Sequence, residues 1–183
     1  LQYLWTAAPN SVGIEGAKPV LPLPRNRAYN WMRVTSIVLV VGIALHVWYM
    51  RFLHYPEKVE AGFRVEIVQD PGLTSVAERV DIQLEKGHED KVVAVCDSFG
   101  KATLMEVRNA FQSPVRCVAY TLFVLAACFH AMNGVWTFSI SWGITLTERS
   151  RVYMRRFSNF IMLVIVFLGL MAIWGTYWIN LKT

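Results

Sequence analysis

Acidic residues are missing from the stretches where a membrane ion pump would need them. Three long apolar runs carry no Asp, Glu or Lys in their interiors, which weakens the case for a proton pump or an ion-coupled transporter. Cysteine is also scarce. Cys96 falls in a polar stretch and Cys117 and Cys128 in an apolar one, with no C-x-x-C and no C-x-x-C-H, so neither a redox dithiol nor covalent haem attachment is indicated. No basic region with a short apolar core precedes a cleavage site, so a signal peptide is not expected. A continuous basic patch is absent too. The formal charge of +5 comes from residues that flank apolar runs, which argues against nucleic acid as a partner.

Apolar residues, in contrast, make up more than half of the 183 positions, and Trp, Phe and Tyr are plentiful. A soluble domain of this size rarely carries so much apolar material, whereas a helical membrane protein needs it. The expected fold is an all-α membrane protein with three transmembrane helices, over residues 31–52, 114–140 and 157–180. About 20 residues at ~1.5 Å each cross a ~30 Å hydrocarbon core. Residues 1–30 read as an irregular cytoplasmic or interfacial arm. Pro19, Pro22 and Pro24 oppose a long helix there, and Tyr3 and Trp5 suit the membrane interface. Residues 53–113 read as a loop with short strands. F-R-V-E-I-V-Q, R-V-D-I-Q-L-E and K-V-V-A-V-C alternate or run β-branched, D-P-G and K-G-H-E-D break them, and residues 103–111 read as a short helix that stops at Ser113-Pro114.

Charge sets the expected orientation. The connection 141–156 holds Arg149, Arg151, Arg155 and Arg156, and the arm and first-span start hold Lys18, Arg25, Arg27 and Arg33. The long loop has more acidic than basic residues. The arm and the basic connection are therefore placed in the cytoplasm and the strand-bearing loop outside.

Two histidines lie inside spans, His46 and His130. Neutral imidazole is a common haem ligand, and a lone membrane histidine also serves as a hydrogen-bonding group between helices; spacing alone leaves the two readings level. Depth separates the two residues. His46 falls about 9 Å below the outer surface and His130 about 22 Å below it, roughly 13 Å apart. Two axial ligands must face each other across one iron, so these two histidines do not share a haem. If both are ligands, two haems sit at different depths, each with a second ligand from elsewhere; His54 and His88 belong to the outer loop. Asn133 and Gly134 lie about one turn from His130. The amide suits a bond to a neighbouring helix, and the glycine suits a close backbone or a flat macrocycle. Trp48, Phe129, Trp136 and Phe138 suit a haem wall or lipid equally.

The stretch F-H-A-M-N-G-V-W-T-F-S-I-S-W-G-I-T-L-T-E-R-S, residues 129–150, resembles the fourth helix and following loop of the di-haem cytochrome b anchor of succinate dehydrogenase, the single-polypeptide kind typified by Gram-positive bacteria. N-W-M-R-V-T-S-I and L-H-V-W-Y-M-R-F, within residues 30–52, are similar to that family's third helix. The resemblance implies three helices of a five-helix bundle and two b-type haems, each held by two histidines. It implies that His46 is the third-helix ligand of the outer haem and His130 the fourth-helix ligand of the haem nearer the cytoplasm. Arg33 matches a basic residue that faces a propionate or a partner subunit. The first two family helices, with the other two ligands, have no counterpart. Either the chain is a carboxy-terminal portion of a longer subunit or another chain provides those helices, and the missing initiator Met favours the portion. The loop 55–112 is longer than the family's equivalent connection.

The resemblance thus implies a subunit that relays electrons through haem b between an iron–sulfur subunit and a membrane quinone. A flavoprotein would dock alongside the iron–sulfur subunit, and the whole would lie in the bacterial cytoplasmic membrane. The chain itself would be a non-catalytic anchor. A b-type anchor of another quinone-linked oxidoreductase and a haem-free membrane scaffold are the alternatives.

Overall fold

The structure is a computed structural model that describes residues 24–60, 62–87 and 91–182. Most of the expected arm, including Tyr3 and Trp5, and His88 lie outside the described residues. Three helices are long and apolar enough to cross a membrane, covering Asn30–Leu53, Pro114–Ser141 and Glu148–Asn180. Between the first two sits a small strand-bearing insertion.

Helix α1 is Pro24–Trp48, and it ends in a single π-helical turn, Tyr49–Leu53. It opens at Pro24, ahead of the apolar run that begins at Trp31. Proline is tolerated there because the first helical N–H has no intrahelical acceptor to lose. The second long helix, Pro114–Ser141, also opens on proline. The third, Glu148–Lys182, starts with a reciprocal cap. Thr147 N–H donates to Ser150 Oγ at 3.2 Å, and Ser150 N–H donates back to Thr147 Oγ1 at 3.2 Å, which satisfies two donors that the first turn leaves without acceptors. The apolar stretches of the three spans leave large side chains such as Val40 and Phe160 exposed. That pattern suits lipid in place of water as the surrounding solvent.

The chain divides into two compact units, one made of the described residues up to Ile43 with Phe123–Val166, the other of Ala44–Leu122 with Phe167 onward. In the first unit, a Cβ added at Gly42 would meet the Phe123 ring at 2.4 Å. Glycine there lets α1 approach its neighbour closely.

The second unit contains the insertion. Its sheet comprises β1 (Glu57–Val59), β2 (Gly62–Val68), β3 (Gln83–Lys86) and β4 (Lys91–Cys96), in the order β1-β2-β4-β3 with every pair antiparallel. Helix α2 (Leu73–Val80) follows β2, and α3 (Phe99–Ala110) follows β4; the two long helices after it are α4 and α5. Alternation along β2 buries Val65 and Ile67 and leaves Arg64 and Glu66 exposed, as a sheet with one covered face requires. Val65, Ile67, Ala94 and Cys96 of the sheet pack with Leu73 and Ala77 of α2 and Ala102 and Met105 of α3 into one core. Two ties extend beyond that core within the unit. Asn180 Nδ2 of α5 donates to the Arg108 carbonyl at 2.9 Å, and Trp174 Nε1 donates to Thr121 Oγ1 at 3.0 Å.

Candidate functional site

His130 stands half-buried on α4, within the first unit. Its Nδ1 lies 3.2 Å from Thr35 Oγ1 of α1. The Thr35 hydroxyl has a single proton and lies within donating distance of the Trp31 carbonyl at 2.8 Å and the Met32 carbonyl at 3.1 Å. With that proton on a backbone carbonyl, the hydroxyl accepts from His130 Nδ1, which is the tautomer with the imidazole proton on Nδ1. That tautomer leaves Nε2 with a lone pair, and no hydrogen bond occupies Nε2 among the described residues. Gly134, one turn on, faces open space, since an added Cβ would meet nothing within 4 Å. Residues four apart share a helix face. An imidazole with one nitrogen held by a hydroxyl and the other without a hydrogen bond, one turn from a helix position open to space, has the chemistry a flat, iron-centred macrocycle needs.

Two other residues picked out in the sequence belong to the same unit. Asn133 is half-buried one turn from His130, and its carbonyl accepts from Thr137 Oγ1 at 3.1 Å. Arg33 is half-buried on α1, two residues before Thr35, with its carbonyl accepting from Ser36 Oγ at 2.7 Å.

His46 belongs to the second unit. Its Nδ1 lies 2.9 Å from the Tyr120 hydroxyl of α4, and the two rings meet edge to face at 5.9 Å. Tyr120 can donate or accept there, so this contact leaves the tautomer open. The side chain is exposed, and no hydrogen bond occupies Nε2 among the described residues. Each histidine thus has its own partner on a neighbouring helix, and none is shared. No three His, Cys, Asp or Glu side chains converge among the described residues, so each imidazole stands as a single donor.

Sequence reasoning passed over one group. Glu106 of α3 is 6% exposed. Its Oε2 lies 3.3 Å from Nδ1 of His54, just past the π-helical turn. Burial pushes the carboxyl up to about 7, against the opposing pull of the Arg116 guanidinium. Burial first, and Arg116 second, push the His54 imidazole below its usual value. Arg116 also donates to the Tyr49 hydroxyl at 2.8 Å. A signal was present in the sequence. Glu106 falls four residues from both Ala102 and Ala110, on the apolar face of an amphipathic helix.

Comparison with curated proteins finds similarity to the succinate dehydrogenase cytochrome b558 subunit of Bacillus subtilis (strain 168), 39% identical over 71 residues, which is 37% of this chain and 33% of that protein. The alignment spans about a third of the relative's length. No protein-family model matches the chain, and no solved structure matches it.

Proposed function

We propose that the chain is part of the membrane anchor of a succinate:quinone oxidoreductase and supplies one axial ligand to each of two b-type haems. The observation that carries this reading is the state of His130. Its Nδ1 meets Thr35 Oγ1 at 3.2 Å, no hydrogen bond occupies its Nε2 among the described residues, and Gly134 one turn on faces open space. The similarity to a cytochrome b558 subunit supports it. His46 would ligate the outer haem, with Tyr120 orienting its ring. The second ligand of each iron would come from outside these residues.

Haem, when bound, supplies one-electron chemistry at a potential tuned by its surroundings. The chain's task is to hold the two irons, exclude water and set those potentials. Flavoprotein and iron–sulfur subunits would dock on the cytoplasmic side, near Arg149, Arg151, Arg155 and Arg156. Arg33 would face a propionate or a partner subunit, and Asn133 would bond a neighbouring helix. Electrons would pass by way of the His130 site and then the His46 site to a quinone of the bacterial cytoplasmic membrane. The complex, and not this chain, would oxidise succinate.

The test is a reduced-minus-oxidised spectrum of the complete complex, purified with its flavin-containing partner. Two b-type contributions are expected. Replacing His130 with Ala should remove one and leave the other. A complex without any b-type band would overturn the haem reading in favour of a haem-free scaffold. Failure to copurify with a succinate-oxidising flavoprotein would redirect it to another quinone-linked oxidoreductase.

A further inference from the structure

A half-open, mainly polar cleft of about 780 Å³ lies within the second unit. Two helix ends form part of its wall. Leu53 closes the first membrane-length helix, and Arg116 stands in the first turn of the second, Pro114–Ser141. The insertion forms the rest, with Arg64 of β2, Lys91 of β4 and Glu106 of α3. If those helices span, the cleft opens where hydrocarbon gives way to lipid headgroups. Leu53 in its wall is exposed and apolar, as is Val115, next to Arg116 in the chain. Lipid chains cover side chains of this kind.

Charge of both signs lines this space. Glu106 is 6% exposed, and its Oε2 meets no partner in hydrogen-bonding geometry, the 3.3 Å approach of His54 Nδ1 being misaligned. An enclosed carboxyl in this state ordinarily costs stability. Burial holds the carboxyl up at about 7, and a cation against it would favour the charged form. The basic groups have capacity to spare. Arg64 is exposed and makes no hydrogen bond or ion pair among the described residues. Arg116 donates from Nη1 to the Tyr49 hydroxyl at 2.8 Å, which takes one of the five donors that a guanidinium carries. It is near enough to Glu106 to pull the carboxyl toward its charged form, yet the two form no ion pair. Lys91 is already paired with Glu66 at 3.4 Å.

We infer that this cleft binds the headgroup of an aminophospholipid from the adjoining leaflet, with its primary ammonium at Glu106 and its phosphate diester held by Arg116 and Arg64. Phosphate suits the guanidinium fork. A primary ammonium brings three donors to a carboxyl oxygen that lacks one. A quaternary ammonium brings none, and the aromatic faces that would attract it are taken. Arg116 and His54 cover Tyr49, at 5.3 Å and 4.1 Å from its ring centre. Arg51 and Phe99 cover Tyr55, at 4.3 Å and 5.6 Å. The inference needs the two helices to span a bilayer and needs no haem, so failure of the relay would leave it standing.

The purified complex, reconstituted in vesicles of phosphatidylglycerol with equal parts of phosphatidylethanolamine and phosphatidylcholine, tests it. Native mass spectrometry after extraction should find the ethanolamine lipid retained about 10-fold or more over the choline lipid, the worth of one hydrogen bond to a charged group. Glu106→Gln keeps the shape, removes the charge and should bring the two lipids to parity. Arg64→Ala should cut retention of the ethanolamine lipid by a similar factor, and Lys58→Ala, on β1 outside the cleft, should change neither. Equal retention of the two lipids by the unaltered complex, or unchanged selectivity in Glu106→Gln, would overturn the inference. Preferred retention of phosphatidylglycerol would do the same, since phosphate alone would then suffice. So would displacement by soluble glycerophosphoethanolamine at the concentration of the lipid, which would make a free zwitterion the ligand. Should Glu106→Gln not assemble, Arg64→Ala, at an exposed strand position, decides the matter: retention equal to that of the unaltered complex would sink the proposal.

Discussion

One hydroxyl, that of Thr35, meets His130 Nδ1. Where Thr35 gives its proton to the Trp31 or Met32 carbonyl, it accepts one from that nitrogen. Valine matches threonine in shape but offers no acceptor, which strands the imidazole N–H in an apolar setting and lets the ring turn. Removing the group that orients a ligating histidine typically weakens metal binding 10–100-fold. Thr35→Val should therefore deplete the inner haem and spare the outer one, read as loss of one b-type contribution when the complex is washed or titrated with haem. Full retention of both haems would show that Thr35 does not orient the ligand. Of the residues proposed for this site, His130, Asn133, Gly134 and Arg33 stand out in the sequence, because a polar or small residue in an apolar run announces itself. Thr35 does not, because threonine is ordinary in a membrane helix and its role depends on which helix it meets. Glu106 escaped for the opposite reason. Within a polar loop an acid is unremarkable until the folded core shows that it faces inward.

The three spans were readable as elements because apolar length is a one-dimensional property. The strands of the insertion were partly readable. The alternating F-R-V-E-I-V and the β-branched K-V-V-A-V-C became β2 and β4. In R-V-D-I-Q-L-E, the first two residues instead close α2, and β3 begins only at Gln83. Asp81, at φ +54°, ends the helix in a left-handed conformation that pattern alone does not reveal. Strand β1, three residues with two charges, exists only as an edge partner of β2. What fastens these elements is also nonlocal. Arg108 of α3 is 3% exposed and forms a two-pronged ion pair with Asp70, beyond β2. Asp70 also accepts from Gln112 Nε2 at 2.7 Å and from the Gly72 N–H at 2.9 Å. Removing one partner of a buried pair strands the other charge and costs about 3–5 kcal/mol, while replacing both with apolar groups is often neutral. Asp70→Ala should lower the Tm of the insertion sharply in the purified protein, and Asp70→Leu with Arg108→Met should recover most of the loss. Equal destabilisation by the single and double variants would mean that the pair matters through its hydrogen bonds alone.

At the scale of the molecule, orientation in the bilayer is what ties the proposed relay to a partner. In the chain, the insertion precedes and the arginine-rich connection follows one membrane-length helix, Pro114–Ser141. If that helix spans, they face opposite compartments, and the arginines mark the cytoplasmic side. The insertion would then face outward, with the cleft beside Glu106 open to external water. Orientation can be read with an impermeant thiol reagent, because Cys96, Cys117 and Cys128 are all buried and free. Glu85 of β3 and Arg155 of α5 are exposed. Glu85→Cys should label in intact cells, and Arg155→Cys only after the membrane is opened. The reverse pattern would place the insertion on the cytoplasmic side. It would exchange the inner and outer haem assignments of His130 and His46. Electron delivery from a cytoplasmic dehydrogenase would then have to enter at His46. The labelling result therefore constrains the direction of electron flow as well as the topology.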